Sequence, residues 1–141
     1  MKSFETSRII AAPPKVVWQV LTDASRLANG RFGILAIDGS IAPGSTFRLW
    51  SEVSPKRAFT LSVTVFEPDR RMVWRSGMPL GLFRGERTFS LEPEGGSTRF
   101  RMRESYSGPL AGLIARSIPD LTPSFETFAN GLAAATQGDT P

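Results

Sequence analysis

The sequence predicts an α+β domain of about seven strands with a long C-terminal helix that folds back over one face of the last strand. Three observations predict the class. One strand and two short helical segments come first. Six strand-like segments then follow in succession, separated by turn signals and never by a helix. The final segment carries apolar residues at helical spacing.

The first element runs from Phe4 to Ala11, with Phe4, Thr6, Arg8 and Ile10 on one face and Glu5, Ser7, Ile9 and Ala11 on the other. Pro13-Pro14 stops it and suits the first turn of a helix, where the missing amide is not needed. Val16, Val17, Val20 and Leu21 then form an apolar stripe that ends at Thr22-Asp23, and Trp18, beside Val17 and Leu21, is expected to pack locally. A second short helix covers Ala24 to Ala28 and closes at Asn29-Gly30.

Phe32 to Ile37 begins the β region, and Pro43-Gly44 introduces Thr46 to Glu52. Ser54-Pro55-Lys56 is read as a turn into Ala58 to Glu67, where Phe59, Leu61, Val63 and Val65 alternate with polar residues. Pro68-Asp69-Arg70 leads to Met72 through Ser76. The link Gly77 to Gly81 has glycines but no Lys-Ser/Thr and no following helix, so it is a strand connection with exposed Met78, Leu80 and Leu82. It is either an ordinary long hairpin or a flexible connection that gates a cavity or rests on a membrane. Phe83 to Glu92 follows, and Glu94-Gly95-Gly96-Ser97 signals a hairpin into the last strand.

That last strand, Thr98 to Tyr106, is the most informative element. Phe100, Met102, Glu104 and Tyr106 share one face, and Arg99, Arg101, Arg103 and Ser105 share the other. A carboxylate and a phenol thus stand where a plain core strand would carry aliphatics. The segment beyond Gly108-Pro109 aligns Leu110, Leu113, Ile114, Leu121, Phe125, Phe128 and Leu132 in one stripe, and Pro119 and Pro123 break it between Ser117 and Ser124. Polar groups roofed by an apolar helix describe a ligand cavity better than a solid core. Residues 1–137 are expected to form a single domain, with 138–141 as a flexible tail.

Composition narrows the chemistry. The 141 residues include no cysteine and no histidine. Thiolate nucleophiles, zinc-thiolate sites and the commonest general base are therefore excluded. Any catalysis must use carboxylates, Tyr, Lys, Arg or water. The net charge of +4 comes with scattered arginines and no nucleic-acid-binding signature, so no nucleic-acid partner is expected. No apolar run is long enough to span a membrane, and membrane contact is expected to be transient at most. The first residues lack the apolar stretch of a signal peptide, so a cytoplasmic location is expected. Dispersed acids offer no metal site, and no cofactor is expected. A homodimer is common enough to expect.

Several words of the sequence, in this element order, resemble the START-like (SRPBCC) superfamily, and within it the polyketide cyclase/dehydrase-like group. They are Ile10-Ala11-Ala12-Pro13 with Val17-Trp18-Gln19-Val20-Leu21-Thr22-Asp23, Pro43-Gly44, Pro68-Asp69-Arg70-Arg71-Met72-Val73-Trp74, Glu104-Ser105-Tyr106-Ser107-Gly108, and Pro123-Ser124-Phe125-Glu126-Thr127-Phe128. The resemblance covers nearly the whole chain. It implies a helix-grip architecture, in which a curved antiparallel sheet of about seven strands wraps around the long C-terminal helix, and a cavity between them for a hydrophobic small molecule, such as a lipid, a polyketide-like compound or an aromatic metabolite.

Within that frame, Glu104 points beneath the helix, where a lone carboxylate is costly and must find a partner. Arg87 has the right parity on the neighbouring strand, so the pair is either a polar anchor for ligand or a structural ion pair. The residues expected to bind ligand are Trp74, Phe83, Arg87, Phe89, Met102, Glu104, Tyr106, Leu121, Phe125 and Phe128. Trp50 and Arg48 share parity and could face either way. The favoured function is ligand binding. The alternatives are a cyclase or dehydratase using Glu104, Tyr106 or a water held by them, and an interaction module resembling chaperone activators.

Overall fold

A computed structural model describes residues 3–29 and 31–137. The tail expected at 138–141 and the Gly30 half of the expected helix stop lie outside the described residues. The elements are β1 (Ser3–Ile10), α1 (Pro14–Leu21), α2 (Ala24–Asn29), β2 (Ile34–Asp38), β3 (Thr46–Ser51), β4 (Ser54–Glu67), β5 (Arg71–Gly77), β6 (Arg84–Glu94), β7 (Ser97–Ser107), α3 (Ala111–Ala115) and α4 (Thr122–Gln137). The strands form one seven-stranded antiparallel sheet in the order β1-β7-β6-β5-β4-β3-β2. Six hairpin-linked strands therefore run from β2 to β7, and β1 closes the far edge by pairing with the last of them. This is the helix-grip arrangement, with α4 lying along the concave face. No helix among the described residues is long and apolar enough to cross a membrane.

Register across the middle of the sheet decides what the helix meets. Met72, Phe89 and Met102 stand opposite one another on β5, β6 and β7. The next row is Trp74, Arg87 and Glu104, and the third is Ser76, Gly85 and Tyr106. Side chains alternate along each strand, so all three rows project to the concave face. The first row is fully buried, and with Phe100 and Phe128 it forms the solid core. Phe128 is the hub, with ring centroids 5.2 Å from Phe32, 5.6 Å from Phe89 and 6.3 Å from Phe100.

Two close contacts fix α4 over this surface. Thr6 on β1 donates a 2.5 Å hydrogen bond to Glu126, and Arg8 donates to Asn130 one turn further on. On the opposite side Gly131 lets the helix backbone approach the chain before β2. A Cβ at this position would lie 2.3 Å from the Arg31 carbonyl oxygen.

Several sequence expectations are corrected. Val16 is exposed, and Trp18 completes the buried side of α1 instead. Trp18 does not pack locally, because its ring sits edge-on to Phe66 of β4 at 5.2 Å. β4 begins at Ser54, not Ala58, so Pro55 lies inside a strand. That is tolerated because β5 pairs with β4 only from Ser62 onward, leaving the first half as a free edge. A register shift between Val63 and Val65 turns Val65 away from the concave face and brings Phe66 round to Trp18. Trp50 and Arg48 lie on the outer side, the guanidinium 5.3 Å over the indole and bonded to Asp38, while Phe47 and Leu49 point inward. The link after β5 is a 3-10 turn, Pro79–Gly81, with Met78, Leu80 and Leu82 exposed. The expected break in the last helix is observed between Arg116 and Leu121, and it turns Leu113 outward, off the stripe.

Candidate binding cavity

The concave sheet and the α3–α4 segment enclose a cavity of about 510 Å³. The sheet wall is formed by Trp74 and Ser76 of β5, Gly85 and Arg87 of β6, and Met102, Glu104 and Tyr106 of β7. Phe83 joins it from the link before β6. The roof supplies Ile114 from α3, Ser117, Ile118, Pro119 and Leu121 from the break, and Ser124, Phe125 and Phe128 from α4. Nine of the ten residues predicted from sequence to contact ligand therefore line the cavity. Phe89 does not, because its ring is covered by Trp74 in edge contact at 4.7 Å and by Phe128 at 5.6 Å.

The third wall was not anticipated. Phe32, Gly33, Ile34, Leu49, Ser51, Val53, Ser54, Arg57, Phe59 and Leu61 line the cavity from the β2–β4 end of the sheet. The alternation of Phe47 with Leu49 and of Phe59 with Leu61 marks these residues as inward-facing. What the sequence lacks is a sign that the sheet bends far enough to bring them opposite β7.

Glu104 is the centre of the polar part. Arg87 donates to its Oε1 through Nε at 2.7 Å, with a second guanidinium nitrogen at 2.6 Å from the same oxygen. The Tyr106 hydroxyl donates to Oε2. Both oxygens are thus occupied, one by a charge-assisted contact. The guanidinium also lies 4.9 Å over the Phe125 ring, so the roof contributes to holding Arg87. The pair is shielded but not sealed, with side-chain exposures of 26% for Arg87 and 15% for Glu104.

Tyr106 is buried, stacked on Phe83 at 5.7 Å and edge-on to Phe4 at 6.5 Å. Burial holds its phenol well above the usual tyrosine value, and the adjacent Glu104 carboxylate pushes the same way, against a smaller opposing effect of Arg87. The phenol therefore keeps its proton and serves as a donor. It is the only tyrosine in the chain, so this is directly measurable. Phenolate absorbance should be absent from the folded protein near pH 10, where a free tyrosine titrates, and should rise only as the chain unfolds. Above pH 10 the unfolded state binds fewer protons than the native one, so stability should fall by about 1.4 kcal/mol per pH unit from this group. A phenolate transition near pH 10 with the fold intact would contradict the geometry.

Among the described residues no group of three or more His, Cys, Asp or Glu could hold a metal ion. The arrangement can place hydrogen-bond donors and one compensated carboxylate against a ligand otherwise surrounded by hydrocarbon and aromatic rings.

Comparison with known proteins agrees with this architecture. The sequence model of the polyketide cyclase/dehydrase and lipid transport family matches residues 1–137. No curated protein matches. Similar solved structures include a hypothetical protein from Helicobacter pylori, 20% identical over 96% of this chain and 88% of that one, with a TM-score of 0.77. Another is a protein from Thermus thermophilus, 21% identical over 99% and 100%, with a TM-score of 0.75. A START superfamily protein from Mycobacterium smegmatis is 16% identical over 98% and 99%, with a TM-score of 0.72. At these identities the likeness is one of fold.

Proposed function

We propose, because the chain belongs to the polyketide cyclase/dehydrase and lipid transport family, that its cavity binds a hydrophobic small molecule, with Arg87, Glu104 and Tyr106 orienting a polar group on it. The observation that carries this reading is the cavity itself. Its volume of about 510 Å³ falls within the range of roughly 300–1,000 Å³ typical of small-molecule pockets. Its walls are apolar and aromatic except for a few convergent polar groups. Covering about 200 Å² of apolar ligand surface would contribute about 5 kcal/mol before the cost of association.

The triad supports positioning more than proton transfer. Glu104 has neither oxygen free. The Tyr106 phenol is a weaker acid than usual, and the Arg87 guanidinium is always charged. The guanidinium hydrogens not directed at Glu104 remain available to a ligand carbonyl or hydroxyl.

The neutral fluorophore N-phenyl-1-naphthylamine tests the reading. It should bind with one-to-one stoichiometry and gain emission. Leu61→Trp, which fills the space between β4 and the roof, should weaken it about tenfold or more while the melting transition remains cooperative. Absence of binding to the parent protein, or equal binding to a folded Leu61→Trp variant, would remove the cavity as the site. Native mass spectrometry of freshly purified protein would then identify any molecule already carried.

A further inference from the structure

The charges on the cavity wall are unequally distributed. Among the lining residues the ionised side chains are Arg57, Arg87 and Glu104. Arg87 and Glu104 cancel each other at 2.6 Å. Arg57 makes no ion pair or hydrogen bond among the described residues, and Glu52, on the turn leading into β4, does not reach it. It is exposed, at the cavity rim.

Glu104 is not its counterion, because its two carboxylate oxygens are engaged by Arg87 and Tyr106. Val63 of β4 pairs with Trp74, which stands in one row with Arg87 and Glu104. From Arg57 to Val63 the strand covers roughly 20 Å at about 3.3 Å per residue. Between the two ends the wall is hydrocarbon and aromatic: Phe59, Leu61, Leu49 and Trp74. Beside Arg57 the hairpin adds two hydroxyls, Ser51 and Ser54, which are cross-strand partners. Followed along β4 from the row of Trp74, the wall thus has a self-neutralised polar group at one end, an apolar stretch, and an uncompensated cation with two hydroxyls at the other.

We infer that the ligand is an amphipathic anion, with its apolar body along Leu61 and Trp74 and its carboxylate, sulfate or phosphate at Arg57. This rests on the reading of the cavity as a ligand site and adds the chemical class. A guanidinium meets an oxyanion through paired N–H donors, and such charge-assisted bonds are stronger than neutral ones. A neutral hydrocarbon of the same shape would leave this end unused.

Two probes of equal chain length separate the contributions. Dodecanoate and dodecan-1-ol are each titrated, below micelle formation, against protein carrying N-phenyl-1-naphthylamine. The readout is the ratio of the concentrations that displace half the fluorophore. In Arg57→Gln the preference for dodecanoate over dodecan-1-ol should fall about fivefold from that of the parent protein, as loss of one charge-assisted contact implies. In the parent it should also shrink as salt is raised. Arg101→Gln, on the outer face of β7, should leave the ratio at the parent value. If the fluorophore binds and the ratio is the same in Arg57→Gln as in the parent, the anion inference is wrong while the cavity reading stands. If neither the fluorophore nor either probe binds, both fall together.

Discussion

Replacing Gly131 by alanine is expected to destabilise the protein by about 2–3 kcal/mol and lower its melting temperature by on the order of 10 °C. The sign is opposite to the usual one for a helix interior, where Gly→Ala gains about 1 kcal/mol from propensity. Two effects compete, and the contact distances decide between them. A Cβ at this position would sit 2.3 Å from the Arg31 carbonyl oxygen, 2.7 Å from the Arg31 carbonyl carbon and 3.2 Å from Phe32 Cδ1. The first two are backbone atoms, so no rotamer change relieves the clash. Either α4 or the chain entering β2 must move, and Phe32 and Phe128, which pack together at this point, move with it. Gly112 on α3 provides the matched control, since an added Cβ there meets nothing within 4 Å. Alanine at that position should leave stability unchanged or raise it slightly. Thermal and urea unfolding of both variants checks the pair, and a more stable Gly131→Ala would overturn the proposed close approach.

Glu104→Leu is expected to cost about 2–3 kcal/mol. Removing one member of a fully buried ion pair costs roughly 3–5 kcal/mol, chiefly because the surviving charge is left without a partner. The lower figure applies because Arg87 retains 26% of its side-chain exposure and can still draw in water. Combining Glu104→Leu with Arg87→Met should recover all but about 1 kcal/mol, the remainder being the buried Tyr106 hydroxyl left without its acceptor. A urea-unfolding double-mutant cycle measures this coupling. If the double variant is no more stable than Glu104→Leu alone, the pair does not hold Glu104 in place. Binding separates the two roles left open by sequence. A purely structural pair predicts unchanged displacement of the fluorophore by dodecan-1-ol in the folded double variant, whereas an anchor for a ligand hydroxyl predicts weaker displacement.

The seven strands were legible because hairpin-linked strands carry their evidence locally. Period-2 alternation and turn residues mark each strand, and both survive whatever the rest of the chain does. The pairing of Arg87 with Glu104 was legible for the same reason, since Gly95-Gly96 fixes the register of β6 against β7 over a short distance. Structure and sequence expectation part where local rules meet an irregularity. The shift between Val63 and Val65 reverses parity in the middle of β4, and nothing in an alternating run of valines and threonines announces it. Helical spacing says which side of α1 is apolar but not what that side meets, so the contact of Trp18 with Phe66 of β4 is invisible to it.

By itself, then, the sequence determined the order and type of the elements, the polar face of β7, the break before α4, and the absence of histidine and cysteine chemistry. The tertiary structure decided which apolar residues line space and which fill it. Phe89 and Trp74 are alike in parity and in hydrophobicity, yet one is core and the other is cavity wall. It also brought Arg57 and the β2–β4 end of the sheet round to face the same cavity as Glu104. Curvature is the physical reason. It accumulates over the twist of every strand and over the bulges, and is held by distant contacts such as Gly131 on Arg31 and Thr6 on Glu126. No window of sequence contains both ends of those contacts.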